Sequence, residues 1–121
     1  LVFPQHRALV GDWTTLTAKL AAAAPALAEK QCVIEVASLE DAFAAVSAGA
    51  DVLQFDKVTP TQLRAWCQQL RQRHPQLGLL AAGGVNSQNA TDYATSGVDA
   101  LVTSSLHHAP PADIGVQVAP A

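Results

Sequence analysis

The sequence predicts an α/β fold, a partial, TIM-like βα barrel of about five parallel strands with intervening helices. Short continuous apolar runs alternate with longer stretches of helical spacing along the chain. The repeat of roughly 20 to 30 residues matches a βα unit. Polar or glycine residues recur after every apolar run. An open doubly wound sheet satisfies the first two observations. The third favours the barrel, which gathers the loop after each strand at one rim, whereas a doubly wound sheet binds at a single crevice.

Five segments read as strands: residues 1–3, 32–36, 52–55, 78–82 and 100–102, with a short extended tail at 114–118 that pairs elsewhere if at all. Helices are expected at 13–27, 39–48, 60–73 and 87–96. Ser38 with Asp41 three residues later resembles a capping box, and Gly49 stands where the following helix needs a left-handed residue. Thr59-Pro60 sets a cap before a proline at the first helical position, with Gln62 as capping partner. Gly97 closes the last helix as Gly49 does.

At 121 residues and 50% hydrophobic, the chain holds material for one domain. It starts with Leu in a strand that has no lead-in, so it reads as a fragment of a larger fold. A net charge of −3, with only seven Lys plus Arg and no run of them, excludes a nucleic-acid surface, which needs a basic stripe. The small-residue run from Ala18 to Ala28 is broken by Lys19 and Pro25, and no targeting pattern opens the chain, so no membrane partner is expected. Cys32 and Cys67 show no metal or redox spacing. Both read as small core residues, and a reducing, cytoplasmic setting is the expectation.

The chemistry gathers at strand ends. Alternation along Val33-Ile34-Glu35-Val36 puts Glu35 on the face away from the helices, and the next strand repeats the design with Val52, Gln54 and Asp56 facing inward. A carboxylate in such a run is costly to bury without compensation. Glu35 can serve a ligand or pair with Lys57 or Arg7; Asp56 can serve a ligand or cap the loop before Thr59. Leu79-Leu80-Ala81-Ala82-Gly83-Gly84-Val85-Asn86 is a strand running into two glycines and a helix start. Residues without Cβ let amides approach an anion, aided by the free amides of a helix beginning near Asn86, although a plain tight turn has the same sequence. Thr103-Ser104-Ser105 can donate to a phosphate or cap the next segment. His107 and His108 diverge, so they cannot chelate one metal, and either contacts phosphate or stays solvated; His6 and Arg7 donate to an anion or lie on a surface loop. Two carboxylates beside a phosphate turn suit a sugar phosphate, or a phosphate carrying a divalent cation.

The order Ile34-Glu35-Val36, Ala48-Gly49-Ala50-Asp51 with Phe55-Asp56, Gly83-Gly84 with Asn89, Gly97-Val98-Asp99 and Asp113-Ile114 resembles the carboxyl-terminal part of the quinolinate (nicotinate-nucleotide) phosphoribosyltransferase family. Phe3-Pro4-Gln5-His6-Arg7, Asp56-Lys57, Val102-Thr103-Ser104 and Ala109-Pro110-Pro111-Ala112-Asp113-Ile114 are most similar to its branch of pyrophosphorylases associated with molybdenum transport genes. The resemblance implies that residues 1–121 are the carboxyl-terminal part of an incomplete α/β barrel, with a separate amino-terminal domain absent from this sequence. It implies a homodimer with shared active sites, and magnesium-dependent transfer from 5-phosphoribosyl 1-diphosphate to an acceptor base. Glu35 and Asp56 would be catalytic, binding the ribose hydroxyls or their Mg2+; Gly83 and Gly84 would bind the phosphate, with His107 near it. Three positions depart from the family pattern. Phe3 begins the segment where a Lys-Asp-Asn-His run is usual, Ala82 replaces a serine and Thr103 a glycine. The missing lysine removes a fixed cation and points away from quinolinate as acceptor. The isolated chain is expected to be inactive. A noncatalytic module binding molybdate or phosphate, and another sugar-phosphate barrel, are the competing expectations.

Overall fold

A computed structural model describes residues 1–108 and 110–120. Ala109, which opens the proline-bearing run above, and Ala121 lie outside them. The chain forms α1 (Pro4–Val10), α2 (Trp13–Ala23), β1 (Val33–Val36), α3 (Leu39–Ser47), β2 (Val52–Asp56), α4 (Pro60–Arg73), β3 (Gly78–Ala82), α5 (Ala90–Ala94) and β4 (Ala100–Leu101). Short 3-10 turns cover Ala24–Leu27 and Ser105–His108.

All strand pairs are parallel, in the order β1-β2-β3-β4. That order follows the sequence without reversal, as in a slice of barrel; a doubly wound sheet would reverse at a switch point. Residues 1–3 do not form the expected fifth strand. Val2 alone bridges Ile34 in parallel, through its N–H to Val33 O at 2.7 Å and its carbonyl from Glu35 N at 2.9 Å. Pro4 then turns the chain into α1, which prevents further pairing.

One face of the sheet carries the helices. Ile34, Val36, Leu53, Phe55, Leu79 and Ala81 are buried there with Ala42 and Ala45 of α3 and Leu63, Cys67 and Leu70 of α4. The opposite, concave face is partly open, with Val33, Glu35 and Leu80 half-buried. Register groups the concave side chains into rows, Val33 with Val52 and Gly78, then Glu35 with Gln54, Leu80 and Ala100, then Asp56 with Ala82.

The punctuation works largely as expected. Ser38 Oγ accepts from Asp41 N at 3.1 Å, Thr59 and Gln62 form a capping box behind Pro60, and Gly49 and Gly97 take φ of 99° and 98°. The Asp41 carboxylate does not complete its box; it pairs with Arg7 at 3.3 Å. The helix expected over 13–27 ends at Ala23, where a 3-10 turn containing Pro25 takes over. The helix expected over 87–96 shrinks to Ala90–Ala94, and residues 114–118 form no strand. Both cysteines are free, Cys67 buried and Cys32 half-exposed. Burial pushes both thiols up from their ordinary value. Among the described residues no helix is long and apolar enough to cross a membrane.

Candidate functional site

The carboxyl ends of the four strands form one rim. Glu35 sits on the concave face of β1, and its Oε2 accepts a 3.0 Å hydrogen bond from Gln54 Nε2 on β2. Neither of the ion pairs open to Glu35 in the sequence forms, because Arg7 is taken by Asp41 and Lys57 lies 3.7 Å from Asp56 Oδ2. Asp56 ends β2 one row nearer the rim and does not cap the following loop, where Thr59 provides the cap. Lys57 turns the chain with a φ of +57°, an uncommon conformation for a residue with a side chain.

Gly83 packs directly against this corner. A Cβ on Gly83 would fall 2.7 Å from the Lys57 backbone nitrogen and closer still to Asp56 Oδ1. Gly83 and Gly84 have φ of 80° and 83°, so this bend belongs to glycine twice over. Among the described residues, the N–H groups of Gly83 and Gly84 donate to no partner.

The helix-start amides do not do what the sequence leads one to expect. Asn86 N donates to Asn89 Oδ1 at 2.8 Å, while Gln88 N and Asn89 N donate to Asn86 Oδ1 at 2.9 and 3.3 Å. The two asparagine side chains also donate to Gly84 O. This reciprocal arrangement satisfies the Asn86, Gln88 and Asn89 amides; among the described residues those of Gly83, Gly84, Val85 and Ser87 keep no partner.

Gly83, Gly84, Val85, Asn86, Val102, Thr103, Ser104, Ser105 and His107 line one cleft of about 420 Å³. Five of the expected ligand residues therefore meet: Gly83, Gly84, Thr103, Ser104 and His107. The Thr103 hydroxyl bonds Val85 O and accepts from Ser105 N at 3.1 Å, tying the loop after β4 to the bend after β3. His6 lies elsewhere. It sits on α1 rather than in a loop, its Nδ1 accepting from Phe3 N at 3.1 Å, and it is not among the cleft residues. Gln54 and Asn86 are site neighbours whose side chains carry no ligand role in the sequence; for Gln54, its place on the inward face beside Asp56 is the available signal.

Among the described residues no cluster of three or more His, Cys, Asp or Glu could cage a metal. Glu35 and Asp56 offer hard oxygen donors, which suits Mg2+ held by one or two carboxylates together with substrate phosphates.

The chain matches the model of the quinolinate phosphoribosyl transferase C-terminal domain over residues 1–117. ModD of Escherichia coli O157:H7, which bears a pyrophosphorylase's name, is 35% identical over 124 residues, covering 100% of this chain and 43% of its own. The carboxylating nicotinate-nucleotide pyrophosphorylase of Rattus norvegicus is 31% identical over 97 residues, 80% of this chain and 31% of its own. A crystal structure of a NadC deletion mutant superposes with a TM-score of 0.72 at 23% identity, over 87% of this chain and 35% of its own, a likeness of fold. The chain thus spans less than half the length of the relatives it matches. By its family match, its sequential parallel sheet and its relatives, the chain belongs to the quinolinate phosphoribosyl transferase family, in that family's C-terminal domain.

Proposed function

We propose that this chain is the barrel portion of a pyrophosphorylase that transfers a phosphoribosyl group from 5-phosphoribosyl 1-diphosphate to an acceptor base. One observation carries the reading: a single rim presents carboxylates on β1 and β2 beside a cleft whose glycine amides, after β3, have no partner among the described residues. Sugar hydroxyls donate to Glu35 and Asp56, and the phosphate accepts from Gly83, Gly84 and Ser104, with His107 beside it, while the one hydrogen of the Thr103 hydroxyl goes to Val85 O and holds the loop in place. Transfer forms a bond from the base nitrogen to the anomeric carbon and breaks the bond from that carbon to diphosphate. Positive charge develops at that carbon, where the carboxylates stabilise it. Mg2+ bound by Glu35, Asp56 and the substrate would neutralise the leaving diphosphate.

Titration of phosphoribosyl diphosphate with magnesium into the intact protein is expected to release heat, and Asp56→Ala to abolish it. Absence of heat in the unsubstituted protein removes the proposal. The resemblance to the molybdenum-transport branch extends it to a cytoplasmic homodimer serving molybdenum handling; a monomer in sedimentation would remove the dimer.

The cleft also favours a second reading. Its lining holds no Asp, Glu, Lys or Arg, and free amides with hydroxyls suit a tetrahedral oxyanion bound without catalysis. Molybdate displacing phosphate, in a protein giving no heat with phosphoribosyl diphosphate, would favour that reading over transfer.

A further inference from the structure

Gln54 is only 8% exposed, in a strand otherwise made of Val52, Leu53, Phe55 and the terminal Asp56. A buried primary amide is costly unless bonded, and an apolar side chain would carry no such cost here. Its neighbours in the row, Leu80 and Ala100, offer no polar side chain, and its hydrogen bond goes to Glu35 Oε2. The two cations that the sequence offers as partners for Glu35 are committed elsewhere, Arg7 to Asp41 and Lys57 to Asp56. Glu35 is therefore held by a neutral donor, which fixes its direction without neutralising its charge. Among the described residues Oε1 has no hydrogen-bond partner. The floor is lopsided, polar on β1 and β2 and apolar on β3 and β4, with the oxyanion cleft rising beyond the apolar side. A ligand whose phosphate fills that cleft can present its hydroxyl edge only to the polar side.

We infer that Gln54 is a positioning residue, aiming the Glu35 carboxylate at the hydroxyls of the bound sugar. This rests on the phosphoribosyl reading above and assigns the choice of a hydroxyl-bearing ligand to a side chain that need not touch it. Ribose 5-phosphate is the probe and inorganic phosphate the control, each titrated into the intact protein carrying Gln54→Met, Glu35→Ala or both. Gln54→Met is expected to weaken ribose 5-phosphate about tenfold, the range of a charge-assisted hydrogen bond, and to leave phosphate unchanged. In the Glu35→Ala background, Gln54→Met should cost nothing further, because its effect passes through Glu35. Losses that multiply, an unchanged affinity in Gln54→Met, or an equal loss of phosphate would each overturn the inference while leaving the phosphoribosyl reading intact. An unsubstituted protein that binds phosphate but not ribose 5-phosphate would overturn both.

Discussion

At Gly83 the chain must pass within contact of the Asp56 carboxylate and the Lys57 backbone with φ at 80°, which a side chain resists both sterically and conformationally. Gly83→Ala is expected to destabilise the fold by about 1–3 kcal/mol, read as a lower urea midpoint, and to displace Asp56 enough to weaken phosphate binding. Gly84 is the contrast: nothing lies within 4 Å of an added Cβ, so Gly84→Ala meets only the backbone penalty. The convergence of Gly83, Gly84, Thr103, Ser104 and His107 was legible because residues after successive parallel strands share a rim, whatever their distance in sequence. Alternation also placed Gln54 inward beside Asp56, yet its role was not legible, because which carboxylate an amide meets depends on strand register. The Asn86, Gln88 and Asn89 amides are occupied, against expectation, for a local reason. Two asparagines three apart can satisfy each other's backbone, and that competes with leaving the donors free.

Capping residues and glycines marked most helix ends correctly, because these signals act within a few residues. Thr59→Ala, which removes both the cap and its bond with Gln62, should cost about 1 kcal/mol in urea unfolding. The helix α1 carries the same grammar, Pro4 at its first turn and Gly11 with a φ of 105° at its end, but the apolar start Leu1-Val2-Phe3 drew the reading toward a strand. Contacts between elements were less legible. Arg71 of α4 bonds Leu77 O and grips Asp99 with a 2.6 Å bond to Oδ1, while Leu79 N donates to Asp99 Oδ2 at 2.7 Å, joining the end of α4 to the starts of β3 and β4. Burial raises the Asp99 carboxyl, but the bonds from Arg71 and the Leu79 amide outweigh it and hold the group below its ordinary 3.8. A carboxyl lowered by folding stabilises the native state above the unfolded value and loses that contribution as pH falls through the folded one. Stability should therefore decline as pH drops below 3.8, and Asp99→Asn should flatten that part of the thermal-unfolding profile. Asp12, lowered chiefly by its bond from the Thr15 amide, titrates in the same window and needs its own Asn variant as control.

Across the whole molecule, protection is concentrated in the middle of the sheet and function at its rim. β2 is paired on both sides and buried from Val52 through Phe55, whereas β4 has two residues and Val2 contributes a single bridge. Opening β2 requires breaking both ladders and exposing the core, so its amides should exchange only on global unfolding, while those of β4 exchange through local fraying. The site straddles that gradient. Asp56 is fixed at the end of the most protected strand, and the cleft is closed by the exposed loop after β4 through the Thr103 hydroxyl. A ligand seated there therefore has little to order in β2 and much to order in the loops. Hydrogen exchange with saturating inorganic phosphate should slow residues 83–86 and 103–107, and slow residues 52–56 only by what binding adds to global stability. Ribose 5-phosphate should extend the protection to residues 33–36, because its hydroxyl edge reaches β1. An identical pattern with both ligands, without added slowing at residues 33–36, would leave the cleft as an oxyanion site and detach Glu35 from it. Slowing of residues 52–56 with none in the loops would mean that the ligand sits outside the cleft and is read only through global stability.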